Sequence, residues 1–310
     1  MALRKPRQFW NDLRSDWTSR TRRDLAAANL DNGGAALQQS EAQGHLRRVM
    51  PDLYFVNTPA AHMVRHWKLL RDLPRENIAL DFHRHDGARL TDLTICAIDG
   101  TEPGLLSKVC GTLSAFNIDV KSALIYTARG EDLARELSQL NIEYSIEDSD
   151  ASSFDASHSI VLDTLVLSEA YRGQERALSE GTQKQVQAEI KRVLRGAETV
   201  YRLLSRRRNR PPSAILLHHL AVVPQSEGGG AIITLRAQDS VGILYRTTTA
   251  ISGLKLNIRI AQINTHDGVT DDIFFVANSD GKPLDQAECD QLAARLRTLL
   301  QRLDVPMTND

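Results

Sequence analysis

The sequence predicts an α+β protein in which a βαββαβ module is used twice, behind an N-terminal helical segment. Three observations predict it. Two helix-strand segments, 104–127 and 242–265, align without a gap. Around each of them the apolar spacing switches between the strand period and the helix period. And 310 residues, 42% hydrophobic and 25% charged, are enough for two or three ordinary globular domains.

The elements follow in order. Phe9, Trp10, Leu13, Trp17 and Leu25 suit one face of a helix over 8–29. The small, polar, glycine-containing run 31–44 reads as a linker. Residues 58–71 read as a helix with Thr58 as N-cap and Pro59 at its first position. TDLTICAI (91–98) is a strand, and PGLLSKVCGTLSAF (103–116) a helix with Leu105, Leu106, Val109, Leu113 and Phe116 on one face. IDVKSALIYTA (118–128) alternates as a strand. The charged, serine-rich stretch 129–157 is expected to be an insertion with a short helix at EDLARELSQL. SIVLDTLVLS (159–168) is the next strand, and 182–205 reads as one long helix. RRRNRPP (206–212) is a solvated connector, and ILLHHLAVVP (215–224) the strand that closes the first copy. That order is the ferredoxin-like arrangement. AIITLRA, GILYRTTTAISGL, NIRIAQINTH, DDIFFVAN and the helix at 285–303 repeat it, and the last strand of the second copy is expected to be short or supplied from elsewhere. The expected division is 1–88 for the helical segment and linker, 89–225 for the first module and 226–310 for the second.

A formal net charge of −1 gives no global field toward nucleic acid or an anionic membrane. Cys96, Cys110 and Cys289 form no CxxC pair and no disulfide framework, which suits a cytoplasmic setting. The basic N-terminus lacks the apolar stretch of a signal peptide, and no run approaches the roughly 18 apolar residues of a membrane span.

The ungapped match places Gly104 on Gly242, Asp119 on Asn257, Val120 on Ile258 and Ile125 on Ile263. Farther on, DTLVLS (163–168) matches DIFFVA (272–277). In each copy a strand ends, a glycine follows and a helix opens. A glycine lets backbone N–H groups approach a ligand, and a helix N-terminus suits a carboxylate. Asp119 and Asn257 are each expected beside the turn of their own copy, Asn257 reading both ends of an amino acid and Asp119 accepting from an ammonium. The expected ligand set is Gly242, Asn257, Asp239, Ile243, Gly104, Asp119 and Leu105. The alternative is that the glycines only make tight turns and the two polar residues only cap strand ends.

This repeat resembles ACT domains, regulatory modules that bind amino acids. The second copy, from RAQDSVGILYRTTTAISG to SDGKPL, is similar to the last domain of the bifunctional PII uridylyltransferase/uridylyl-removing enzyme family. RRRNRPP resembles the connector between that family's two ACT domains, MPDLYFVNTPAAHMVRHWKLL the segment before them, and WNDLRSDWTSRTRRDL the helix after its phosphohydrolase domain. The resemblance implies glutamine as ligand and a regulatory, allosteric role in nitrogen signalling, with a PII-like protein or a separate catalytic chain as partner and a homodimer as the expected assembly. Alternatives are the regulatory part of a split or truncated enzyme and a ligand-free dimerisation module. No counterpart of the family's Gly-rich turn with paired aspartates, or of its hydrolase motif, stands in the sequence. No catalytic residue, metal or cofactor is therefore expected. The turn of the first copy (Asp99 to Gly104) is two residues longer than that of the second (Asp239 to Gly242), so the first is expected to be the weaker site.

HRHD (83–86) lacks the further His and Asp ligands of a metal hydrolase and reads as a polar turn or hairpin. His62 and His66, four apart on a helix, lack a third zinc ligand. His218 and His219 alternate across a strand.

Overall fold

The computed structural model describes residues 34–84, 89–99, 104–140, 142, 156–171, 174–207, 215–225, 230–278 and 283–301. The helix expected at 8–29 lies outside them. Three helices come first: α1 (Gly34–Val49), α2 (Asp52–Asn57) and α3 (Ala60–Glu76). Then follow β1 (Ile78–Arg84), β2 (Thr91–Asp99), α4 (Leu105–Ala115), β3 (Ile118–Arg129), α5 (Gly130–Gln139), β4 (Ser159–Tyr171), β5 (Gln174–Arg176), α6 (Glu180–Leu194) and α7 (Val200–Arg207). The second half comprises β6 (Leu217–Pro224), β7 (Gly230–Gln238), α8 (Ile243–Gly253), β8 (Leu256–His266), β9 (Val269–Asn278) and α9 (Gln286–Gln301).

All the strands join one antiparallel sheet in the order β1-β2-β4-β3-β8-β9-β7-β6, with β5 added to β4. The sheet is two similar four-strand halves joined edge to edge at β3 and β8. One face packs on α4, α6, α8 and α9 through residues such as Leu106, Val109, Val186, Ile190, Ile243, Ile251, Leu292 and Leu296. Over the first half, the other face is covered by α1 to α3 and α5, with Leu46, Tyr54, Leu70, Leu73, Leu133 and Leu137 fully buried. Sequestering such side chains from water is what holds the layers together, at roughly 1.5–3 kcal/mol each.

The repeat extends to backbone detail. Gly104 and Gly242 are both helix N-caps with positive φ, 138° and 92°. Asn117 and Lys255, aligned in the repeat, both take φ near 57° just past their helices. The aligned residues Lys121 and Arg259 both fall at bulges, where the register against β4 or β9 shifts.

Several elements depart from expectation. Most of the expected linker is helix α1, because Ala42, Leu46 and Val49 bury one face and tertiary packing overrides its glycines. The N-cap of α3 is Pro59, one residue later than expected; the Thr58 N–H instead closes α2 on the Tyr54 carbonyl. The long helix at 182–205 is two. Gly196, at φ 73°, ends α6 in a Schellman motif, with Ala197 N–H on the Arg192 carbonyl and Gly196 N–H on that of Val193. The connector is not wholly solvated: Arg206 bonds Glu198 and Arg207 lies over the Phe116 ring.

The largest difference concerns the fourth strands. Residues 215–224 do not close the first half; β6 pairs with β7 along its length. The place beside β2 is taken by β1, which sequence reading missed. Each half therefore begins with the strand that a βαββαβ order puts last. A short hairpin connection is the simpler route to an antiparallel neighbour. This also supplies the fourth strand expected to reach the second copy from elsewhere. Among the described residues no helix is long and apolar enough to cross a membrane.

Candidate functional site

A cleft opens where the two halves meet. The first half contributes Asp99 from the end of β2, the turn residue Gly104, Leu105 and Leu106 at the start of α4, Ile125 on β3, and Val161 and Asp163 on β4. The second half contributes Ser252 at the end of α8, and Leu256, Asn257 and Ile258 at the head of β8. The empty space, counted out to open solvent, is about 370 Å³, of which about 30 Å³ admits the centre of a water-sized sphere.

Gly104 is needed at its position. Its φ of 138° is one that side-chain-bearing residues rarely adopt. Its carbonyl accepts from Lys108 N–H and the Ser107 hydroxyl. Gly104, the N-cap of α4, has no side chain with which to cap the helix, and the first N–H groups of an α-helix have no acceptor within it.

The sequence expectation put each glycine turn with the polar residue of its own copy. The structure crosses them. Antiparallel pairing of β3 with β8, from Ser122↔Asn264 to Tyr126↔Ile260, carries the head of β8 to the first turn. Asn257 therefore meets Gly104 and Leu105. Asp119 is brought into the field of Asp239, at the turn that leads to Gly242 and Ile243. The cleft lies at the copy expected to be the weaker.

The twin junction is occupied by the chain itself. Lys121 Nζ sits 2.6 Å from Asp119 Oδ2 and 2.5 Å from Glu175 Oε1. Burial works against its charge, but hydrogen bonds and attraction from both acids outweigh it and hold the ammonium above the ordinary lysine value. Burial and the Asp119 charge push Asp239 up, and Lys121 opposes them.

Two acids at the open cleft escaped the sequence reading. Asp163 is 0% exposed, on the α4 face of β4, and neither carboxyl oxygen has a hydrogen-bond partner. Burial, and then the Asp99 charge, raise it well above the ordinary aspartate value; the nearby Tyr126 amide pulls weakly the other way without completing a bond. Burial also raises Asp99 to about 6, against the pull of His158 and Lys108. The signal was present in the sequence. An aspartate interrupts the apolar run SIVLDTLVLS, and its match in the second copy is Asp272, likewise buried. Asp272 differs in having a partner, the Thr270 hydroxyl.

The tempting histidines serve packing. His66 is buried, its Nδ1 2.8 Å from the Tyr54 hydroxyl and its Nε2 3.3 Å from Thr164 Oγ1. Burial lowers it to about 3, with smaller contributions from His62 and Arg65, so it is a neutral bridge. His62 Nε2 stands 3.9 Å from Asp92. His83 and Arg84 end β1 of a hairpin, and residues 85 and 86 lie outside the described ones. His218 and His219 are exposed on β6. Among the described residues no group of three or more His, Cys, Asp or Glu is placed to hold a metal ion.

No family model matches the chain. Among curated proteins it is similar to the bifunctional uridylyltransferase/uridylyl-removing enzyme of Nitrobacter winogradskyi, 28% identical over 261 residues, 82% of this chain and 24% of that enzyme. The enzymes of the same description from Bradyrhizobium diazoefficiens (24% over 257 residues, 82% and 24%) and Rhodopseudomonas palustris (24% over 248 residues, 77% and 23%) match likewise. The chain spans about a quarter of the length of these relatives. A crystal structure of aspartate kinase from Synechocystis covers 78% of this chain and 53% of its own at 10% identity, with a TM-score of 0.16, too low to carry an argument.

Proposed function

We propose that this chain is a regulatory piece of a uridylyltransferase/uridylyl-removing system, and that it reports a free amino acid, glutamine first, to catalytic machinery in another chain or another part of a longer one. One observation carries the reading: the glycine turn of one half and Asn257 of the other line a single cleft. A small zwitterion bridging them would touch both halves at once. Its carboxylate suits the open first turn of α4, and the Asn257 amide can both donate and accept.

The mechanism is a change in how the halves sit. They share a seam of five residue pairs. A ligand with different affinity for two arrangements of that seam shifts their balance, typically by ~1–3 kcal/mol, and the shift is passed to the partner. Each half, with strand order β1-β2-β4-β3 or β6-β7-β9-β8, supports an ACT-type, ferredoxin-like reading with its outer strand moved to the front. The units on this reading are residues 78–207 and 215–301. The edges β3 and β8 that a second copy would use are joined within the chain, so a homodimer would form elsewhere.

Titration calorimetry with glutamine and a panel of other amino acids tests the proposal. One binding event per chain with millimolar affinity or better is expected. Flat isotherms for the whole panel would refute it.

A further inference from the structure

We propose that Asp163, with Asp99, forms an ammonium receptor at the floor of the cleft, so that the site takes a primary amine and rejects the 2-hydroxy or 2-oxo acid of the same shape. This rests on the cleft being the ligand site, as proposed above, and goes further by naming the group that is read there.

The argument starts from the cost of burial. A carboxyl with no hydrogen-bond partner is expensive away from water, in either protonation state. Asp163 is such a group, and it lines the same cleft as Gly104 and Asn257. Packing does not call for it: its neighbours on the same face of β4, Val161 and Leu165, are buried and apolar. In the second half the matching Asp272 is provided for by Thr270, whereas the residue two before Asp163 is Val161.

The twin junction shows what the acids of this fold accept. There Asp119 and Glu175 hold Lys121 Nζ, with Asp239 in the same field. Lys121 is a primary ammonium on a flexible stem, placed by a bulge. At the open cleft the bulged residue is Arg259, which is exposed, and Asn257 stands where the twin has Asp119. Asp99 stands where it has Asp239. The open cleft thus keeps inner acids, and the amine must come from outside. An incoming ammonium would donate hydrogen bonds to the Asp163 carboxylate, and the proton that the acid pair carried would leave to solvent.

Calorimetry of the wild-type chain, Asp163→Asn and Asp99→Asn tests this, with L-glutamine, its 2-hydroxy counterpart and methylammonium as probes. Circular dichroism confirms that each variant is folded. The wild type is expected to bind glutamine at least tenfold more tightly than the hydroxy acid. Asp163→Asn should lose tenfold or more for glutamine and abolish the discrimination, with a smaller loss for Asp99→Asn. Repetition in two buffers of different ionisation enthalpy should show proton release that Asp163→Asn lacks. Equal glutamine affinity in the wild type and folded Asp163→Asn would overturn the inference and leave the amino-acid reading standing. Methylammonium bound by the wild type but not by Asp163→Asn, with no amino acid bound, would support the receptor and refute the amino-acid reading. No binding of any amine by the wild type would overturn both.

Discussion

Leu124 and Gln262 face each other across the seam of β3 and β8, and each is the other's counterpart in the repeat. The joint is therefore a local two-fold, with Ala123 opposite Ile263 and Ile125 opposite Ala261. A gene-internal repeat has been used here as an isologous dimer is used between chains. The symmetry also explains why each turn meets the polar residue of the other copy.

The seam gives a paired prediction. Ile125 and Ile263 are each 2% exposed, but only Ile125 lines the cleft. Truncation of either to alanine should cost about 2–4 kcal/mol in urea denaturation. Only Ile125→Ala should also weaken glutamine binding. Equal loss of binding in both variants would place the ligand elsewhere.

The contact of α4 with α8 depends on Gly111. A Cβ there would stand 2.4 Å from Val200 Cγ1 and 2.8 Å from Tyr245 Cε2. Gly111→Ala gains helix propensity of at most about 1 kcal/mol, against overpacking of ~1–3 kcal/mol. The expected outcome is a lower melting temperature. A higher one would show that α8 and Val200 move aside freely.

Burial raises Asp272 from 3.8 to about 7. Between those values the folded chain keeps a proton that the unfolded chain has released. Its contribution is intact below about pH 4, falls as pH rises toward 7, and is constant beyond. Asp99 and Asp163 act in the same direction. Asp272→Asn removes one such titration, so its unfolding free energy from denaturant titration should exceed the wild type's at pH 8, by on the order of 2 kcal/mol. The gap should narrow at pH 5. A gap independent of pH contradicts the assignment.

His66 works in the opposite sense. Its value is lowered to about 3, so its contribution is present above the unfolded value of 6.5 and is lost as pH falls through that window. NMR of the ring nitrogens should find it neutral at pH 5. A protonated ring at that pH would break the Tyr54–His66–Thr164 bridge as described.

The sequence made local elements legible and their partners less so. Strands β2, β3, β4, β8 and β9 follow from their own alternation. The neighbour of 215–224 does not, because nothing within a strand says which edge it will join. Crossing of Gly104 with Asn257 depends on the same long-range pairing. Asp163 and Asp272 were visible as matched acids in apolar runs, but their burial becomes known only when α4 and α8 lie over the sheet. Lys121 reads as an ordinary exposed strand lysine until the bulge turns it toward Asp119 and Glu175.

The most direct test compares Asn257→Ala with Asp119→Ala in glutamine titration. A site built across the halves predicts at least tenfold weaker binding for Asn257→Ala and little change for Asp119→Ala, whose carboxylate is paired with Lys121. Full binding by Asn257→Ala, with loss in Asp119→Ala, would contradict the shared cleft and return each turn to the polar residue of its own copy.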